Sequence, residues 1–445
     1  MSQAGTTKQS RYERAVASLD ERGFGIKPGL DRINKLLDLL DRPESNYPVI
    51  HLAGTNGKSS TTRMIAMILA GHGLNAGVYL SPHLQSVRER LRLTGPSVEG
   101  LADEMIPRNE FADSMEYMAP FVEQIESEGG GEVTYFELLT ALAFEWMSEK
   151  AVSVGVIETG LGGTWDATNV VTPSVAVITP IAVDHEKFLG RTPVENAKEK
   201  AGIIKPECEV VIGPQEPEVL RLLEESATAA GSRSYVFGRD YGLTQDLPGV
   251  GGRFTDVKGV KASYTGLFLD LLGRHQVENL ATAVAASELF LGRALDEDSL
   301  KAGVAAVTGA GRMEIVRRDP LVVLDGAHNP AGAARLAEAV IESFGKVPTT
   351  IVLAAYADKD LAGIVNELAP IASSFVLTSA ESERAAAPED LERLIPDGIE
   401  KRVIKGLDKA IAEVIEGAGS AGLVLITGSL QTVGEAREHL MGPVD

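Results

Sequence analysis

The sequence has one cysteine, Cys208, so no intrachain disulfide can hold the fold together. That residue lies in K-P-E-C-E between predicted elements and reads as incidental, and a single thiol fits a reducing cytoplasm. No window holds 18 uninterrupted apolar residues, and the opening M-S-Q-A-G-T-T-K-Q-S-R lacks the apolar core of a signal peptide. Neither a membrane span nor a secretory leader is therefore expected, and residues 1–11 read as disordered. Basic residues are scarce: 42 stand against 63 acidic ones, a formal charge of −21. Such a field works against nucleic acids and anionic membranes. An anionic substrate would have to be met by local cations and backbone donors. Repeats and low-complexity tracts are absent as well, which leaves an ordinary globular composition, 44% hydrophobic and 24% charged. At 445 residues, two domains are expected.

What is present is a phosphate-cradle pattern in residues 48–62, P-V-I-H-L-A-G-T-N-G-K-S-S-T-T. The apolar run of Val49, Ile50, Leu52 and Ala53 stops at Gly54. Gly57-Lys58-Ser59 follows, and Met64, Ile65, Met67, Ile68 and Leu69 then recur at helical spacing. Glycines let N–H groups turn inward, a helix N-terminus adds its positive end, and a lysine supplies a mobile cation. The candidate contacts are Gly54, Thr55, Asn56, Gly57, Lys58, Ser59 and Ser60. Leu52 stands where the consensus has its first glycine, so this stretch alone does not separate a phosphate site from an ordinary strand–helix turn.

Two helical patterns, 12–19 and 30–40, precede the cradle. A strand at 76–80 follows it, giving a right-handed βαβ unit that runs into Ser81-Pro82-His83. In 84–101 Arg88, Arg90 and Arg92 alternate, which fits a solvated edge strand or a mobile substrate loop. Helices are predicted at 101–127 and 134–149, with Met105, Met115 and Met118 as core. Strands are predicted at 151–157, ending on Glu158 and T-G-L-G-G, and at 175–178, before Asp184-His185. Further strands read at 210–213 and 234–237. A helix at 193–201 carries Lys198 and Lys200, residues 241–272 alternate like an antiparallel insertion, and 279–290 is an alanine-rich helix. The chain turns small and glycine-rich at 303–311, which places the domain boundary there: 1–308 and 309–445. A fresh α/β alternation follows, with strands at 321–324, 350–354, 375–377 and 423–426 and helices at 331–344, 360–368 and 407–416.

Ligands of open parallel sheets bind beyond the carboxyl ends of the strands. Ser81, Glu158 and His185 close three such strands beside Lys58. Each alone is an ordinary loop residue. Together they are oxygen and nitrogen ligands for a nucleotide-bound magnesium ion, which takes few protein groups. That favours an ATP-using enzyme over a binding module. In D-G-A-H-N-P, Asp325 follows a strand and Pro330 starts a helix. Asp325 suits a ribose or ammonium group, and His328 and Asn329 suit a purine, although singly each is a turn or capping residue. Arg312, at the boundary, can reach a transferring phosphate; singly it is a surface arginine.

The blocks H-L-A-G-T-N-G-K-S-S, L-S-P-H-L, E-T-G-L-G-G-T-W-D-A-T-N, D-H-E-K-F-L-G, E-K-A-G-I-I-K, G-R-H-Q-V-E-N, G-R-M-E, D-G-A-H-N-P, D-K-D and I-T-G-S-L occur in this order. With them the chain resembles the folylpolyglutamate synthase/dihydrofolate synthase family of the Mur ligase superfamily over nearly its whole length. The resemblance implies an α/β fold: an N-terminal P-loop Mur-ligase ATPase domain with a mostly parallel sheet, and a smaller C-terminal Rossmann-like α/β domain. It implies ATP-dependent ligation of L-glutamate to folate, and to dihydropteroate in a bifunctional enzyme, through an acyl phosphate. The cofactors would be ATP and Mg2+, with a second Mg2+ or a monovalent cation, in a cytoplasmic monomer.

The resemblance also assigns residues. Lys58 matches the lysine on the β- and γ-phosphates, and Ser81, Glu158 and His185 match the magnesium ligands. Asn279, Arg312, Asp325 and His328 match ATP contacts across the cleft. Lys200 in E-K-A-G matches the lysine that the family carbamylates; spacing alone does not choose between it and Lys198. Lys58, Glu158, His185, Lys200 and Arg312 form the catalytic set. Phe136, Glu137 and Asp166 mark the pterin region, and Asp358 and Lys359 the incoming glutamate. The chain departs from the family at Ser59, where glycine is common, which leaves open whether Ser59 or Ser60 faces the phosphates. It departs again at Thr164-Trp165, which replace the arginine of G-G-R-x-D and its neighbour. The rival readings are a P-loop regulatory NTPase that joins nothing and another Mur-type ligase that extends a cell-wall precursor.

Overall fold

The computed structural model describes residues 10–444 apart from 24, 26, 420 and 421, so the expectation of disorder for residues 1–9 lies outside it. Ser10 and Arg11 depart from that expectation. Ser10 caps the helix Arg11–Asp20 through a capping box with Glu13.

The first sheet is built from β1 (Val49–Ala53), β2 (Ala76–Tyr79), β3 (Leu91–Ser97), β4 (Gly100–Met105), β5 (Val154–Glu158), β6 (Val175–Ile178), β7 (Glu209–Ile212) and β8 (Arg233–Val236). Their order is β4-β3-β2-β5-β1-β6-β7-β8, parallel from β2 to β8 and antiparallel where β3 joins β2 and where β4 joins β3. Continuous apolar runs make these strands because both sheet faces are covered. On one face Ile50, Leu52, Val78 and Val156 pack against the helices Lys58–Gly71 and Arg274–Leu291. On the other, Val49, Tyr79 and Ile157 pack against the helices Arg108–Ser127 and Tyr135–Glu149, where Met115 and Met118 are core as expected. Residues 241–272 form the anticipated antiparallel insertion: β9 (Gly242–Pro248), β10 (Arg253–Lys258) and β11 (Ser263–Leu269).

The second sheet comprises β12 (Glu314–Arg318), β13 (Leu321–Asp325), β14 (Thr349–Leu353), β15 (Ser374–Leu377), β16 (Glu400–Val403) and β17 (Leu423–Thr427). It runs β12-β13-β17-β14-β15-β16 and is parallel except for the edge strand β12. The molecule is thus an α/β protein with a large, mostly parallel N-terminal sheet domain and a C-terminal mixed sheet domain. Among the described residues, no helix is long and apolar enough to cross a membrane.

Two sequence expectations need correction, and one strand was not expected. Residues 101–105 are strand, not helix: they pair with β3, Arg92 meets Asp103 across the hairpin, and the helix waits for Pro107 as its N-cap. Arg88 and Arg90 are buried, 8% and 6% exposed, so the alternating arginines are not a solvated edge. Strand β16, E-K-R-V, escaped notice because an edge strand carrying charges has no apolar alternation to read.

Candidate active site

The parallel register lines up the carboxyl ends of β2, β5, β1 and β6. Leu52 pairs with Glu158, Tyr79 with Ile157 and Ala53 with Ile178. The loop 54–57 leaves β1 there and becomes the helix Lys58–Gly71. Two glycines are required by geometry. A Cβ on Gly54 (φ +155°) would lie 1.8 Å from Thr179 Oγ1, and one on Gly57 (φ +86°) 2.5 Å from Asn279 Oδ1. Asn279 is thereby set against the cradle, with Gln276 accepting from its amide at 3.2 Å.

Not every backbone donor faces a ligand. The N–H groups of Thr55 and Asn56 donate to Pro180 O at 3.0 and 3.2 Å, and Thr55 Oγ1 donates to Ala182 O at 2.9 Å. These bonds lash the loop to the segment after β6. The donors that remain are those of the first helical turn, from Lys58 onward, which have no carbonyl one turn back. Lys58 Nζ lies 3.4 Å from Thr55 O and 3.9 Å from Glu158 Oε1.

Glu158, 1% exposed, is the centre of the arrangement. It accepts from Ser59 Oγ at 2.9 Å and from Ser81 N at 3.2 Å. Burial pushes its carboxyl upward from the usual range, against the opposing pull of Lys58 and those hydrogen bonds. Ser59 faces Glu158, while Ser60 lines a small cleft with Arg63 and Arg312. Among the described residues there is no cluster of three or more His, Cys, Asp and Glu side chains fit to hold a metal. Ser81 and Glu158 still suit magnesium, which completes its shell from hydroxyl, water and phosphate oxygens.

His185 lies beside its neighbour Asp184. It stands 3.9 Å from Asp184, and burial depresses its imidazole to about 4 against the attraction of that carboxylate. Asp184, which sequence reasoning passed over in favour of its neighbour, is the hub of the cleft. Lys359 Nζ reaches Asp184 Oδ1 at 2.5 Å, and His328 Nε2 and Asn329 Nδ2 stand 3.4 Å from Oδ2. Burial would raise this carboxyl, but the His328 hydrogen bond and the charges of His185 and Lys359 hold it well below the carboxylate range. Asn329, the N-cap of the helix Pro330–Phe344, lies at the same place. It exchanges amide hydrogen bonds with Asn56 of the cradle, at 3.2 and 3.4 Å. The signal for both residues was adjacency to a chosen histidine.

Lys200, 4% exposed, is depressed to about 7 by burial and then by the charge of Lys58. For Lys198 no comparable burial is seen. Asp325 accepts N–H bonds from Met313 and Ala327, both 2.9 Å, and Arg312 lies close enough to lower its raised carboxyl. Asp358 accepts from Arg384 through both carboxylate oxygens, each at 3.0 Å.

A cavity of about 210 Å³ opens beside Ser81, lined by Arg90, Tyr135, Phe136, Glu137, Leu161, Trp165 and Asp166 among others. All three residues expected around a pterin line it. Two of them have evident structural tasks. Glu137 caps the helix Tyr135–Glu149 and pairs with Arg32, and Asp166 accepts from Leu161 N and Thr168 N to fix the loop after β5.

Comparison with known proteins accords with this geometry. The Mur ligase middle domain matches residues 117–287, and the Mur ligase glutamate ligase domain matches 311–430. The dihydrofolate synthase/folylpolyglutamate synthase of Mycobacterium tuberculosis is 36% identical over 93% of this chain and 90% of its own length. That of Bacillus subtilis is 34% identical over 94% and 96%. Among solved structures, the M. tuberculosis folylpolyglutamate synthase complexed with ADP superposes with a TM-score of 0.90 at 36% identity, covering 97% of this chain and 98% of that one. The E. coli FolC complex with DHPP and ADP gives 0.85 at 28% identity, covering 97% and 98%. A cradle, a buried carboxylate and a second domain reaching over both, in a chain this similar along its length, place the protein in the dihydrofolate synthase/folylpolyglutamate synthase family of Mur ligases.

Proposed function

We propose that the protein is an ATP-dependent ligase that joins L-glutamate to folates, and to dihydropteroate as a bifunctional enzyme. The observation that carries this is the placement of Ser81. It borders the cavity that holds Phe136 and Asp166 and also hydrogen-bonds Glu158 in front of Lys58. In this reading a substrate seated in that cavity has one end at Ser81, whose N–H donates to Glu158. A regulatory NTPase has no need of such a cavity beside its phosphate loop.

In this reading Gly54 to Ser60, Asn279, Arg312, Asp325 and His328 bind ATP between the domains, whose boundary falls at 308/309. Ser81, Glu158 and His185 hold magnesium, which when bound neutralises charge on the phosphate oxygens. Carbamylated Lys200 supplies a further anionic oxygen; its buried amine, near 7, is neutral often enough to take up carbon dioxide. The substrate carboxylate attacks the γ-phosphorus and ADP departs, leaving an acyl phosphate. The amine of glutamate, received near Asp358 and Lys359, attacks the acyl carbon, and phosphate leaves from the tetrahedral intermediate. Lys58 and Arg312 spread positive charge over the oxygens that gain negative charge. A cytoplasmic monomer belongs to this reading; the one thiol, Cys208, is buried and forms no disulfide, which fits a reducing compartment.

The test is ADP release with MgATP and L-glutamate, supplying dihydropteroate and tetrahydrofolate in turn. Activity with both is expected. Activity with tetrahydrofolate alone removes the dihydrofolate synthase function, and hydrolysis indifferent to both would establish the regulatory NTPase.

A further inference from the structure

We propose that the cleft between Arg63 and Arg312 is an oxoanion site that takes the orthophosphate released by ligation; this rests on the ligase reading above. The cleft has a volume of about 40 Å³ and is lined by Ser59, Ser60, Arg63, Glu89, Thr308 and Arg312 among others. Ser59 and Ser60 tie it to the phosphate cradle. Arg63 stands one turn further along the same helix, on the face that Ser59 begins. The lining includes neither Lys58 nor Asn279, Asp325 and His328, which bind ATP in the ligase reading. Arg312 is common to both places.

What sets the two arginines apart is the lack of a close acid. Arg32, Arg92 and Arg253 hold carboxylate oxygens at 2.9, 2.6 and 2.7 Å. Arg63 Nη1 instead stands 4.0 Å from Asp103 Oδ2, a carboxylate that Arg92 already holds, and 3.5 Å from Thr308 Oγ1. Arg312 Nη1 has Gly311 O at 3.4 Å, and Asp325 feels its charge from farther off. Glu89 is the acid on the lining, and both its oxygens are taken by the N–H groups of Leu84, Gln85 and Ser86. Burial and then the charge of Arg92 lower the Arg63 guanidinium from its ordinary value, Arg312 adding to them against Asp103 and Glu89. An anion set between the guanidiniums relieves that crowding of like charge. Forked N–H donors and the hydroxyls of Ser60 and Thr308 suit the oxygens of a tetrahedral anion. Of the ligation products, orthophosphate alone is small enough for this cleft.

The test is calorimetric titration of the MgADP complex with sodium phosphate, the ionic strength held constant with chloride. Saturable binding to the wild type is expected. Arg63→Met is expected to weaken it about tenfold or more, and Lys58→Ala to leave it within about twofold. Arg63→Lys is expected to lose less than Arg63→Met, because an ammonium keeps the charge but not the fork. As a product inhibitor of ADP release, phosphate is expected to lose potency by the same factor in Arg63→Met, with the Michaelis constants for ATP and L-glutamate unchanged. The proposal is overturned by the absence of saturable binding to the wild type, or by binding that Lys58→Ala abolishes and Arg63→Met retains. A raised constant for L-glutamate with unchanged phosphate affinity in Arg63→Met also overturns it, and makes the cleft a carboxylate site. Calorimetry needs neither folate nor glutamate, so its failure is distinct from that of the ligase reading, which fails if ADP release ignores every pterin.

Discussion

Lys58 shows how much a single residue's neighbours decide. Its ammonium faces Glu158 across the mouth of the cradle, where low dielectric strengthens whatever charge it meets. Removing one preorganised donor from such a site costs about 2.7–4 kcal/mol. Lys58→Ala is accordingly expected to lose about 10²–10³-fold in turnover with an unchanged circular dichroism spectrum. A near-normal rate would refute the assignment. His51 is a residue whose behaviour no motif reveals. It is wholly buried on β1, with only Thr168 Oγ1 as partner to Nε2, and burial followed by the charge of Lys205 depresses it to about 3. Below its ordinary value of 6.5 the unfolded chain takes up a proton that the folded protein refuses. Stability is therefore full above that pH and falls as pH drops from 6.5 toward 3. His83, at about 3, and His275, at about 4, act in the same direction. The urea midpoint is expected to decline between pH 7 and pH 5, less steeply in His51→Gln. A level midpoint across that range would contradict this account.

At the scale of elements, periodicity located most strands and helices but not what fastens them. The helix Arg274–Leu291 reads as an alanine-rich core helix, yet it carries Glu288, which is 0% exposed. Its carboxylate accepts from the N–H groups of Val260, Lys261 and Ala262 and from Tyr264 OH, and so tethers the turn between β10 and β11. Glu288→Ala would strand those donors in the interior. We expect a loss of at least about 3 kcal/mol in urea unfolding. A loss within 0.5 kcal/mol, roughly what a surface change gives, would mean that water replaces the carboxylate. The segment 81–90 makes a similar point. Glu89 gathers the N–H groups of Leu84, Gln85 and Ser86, turning an apparently irregular stretch into a fixed loop that presents Ser81 and Arg90.

At the scale of the molecule, polar bridges join the two sheet domains. Lys359 meets Asp184, Asn329 pairs with Asn56, Arg437 reaches Gln85, and Arg253 holds Glu342. The Lys359–Asp184 pair is buried on both sides, 6% and 7% exposed. Breaking one partner of such a pair costs about 3–5 kcal/mol because a charge is left unmatched. Lys359→Met is expected to loosen the domains, read as a larger radius of gyration in solution scattering. Lys359→Met with Asp184→Asn should recover part of the loss in a double-mutant cycle. Additive effects would show that the pair does not couple the domains.

The sequence by itself determined the α/β class, the strand–glycine turn–helix at Gly54–Lys58 and the identity of Glu158 as a strand-end carboxylate, because these follow from periodicity and short-range spacing. Only the tertiary structure decided that Ser59 and not Ser60 faces Glu158, that Asp184 gathers Lys359, His328 and Asn329, and that Trp165 lines the cavity. Each of those relations joins residues dozens or hundreds of positions apart. Chain spacing carries no record of which loops a sheet brings to one edge, and burial, which sets the charge of Lys200 and His51, exists only once the chain has closed around them.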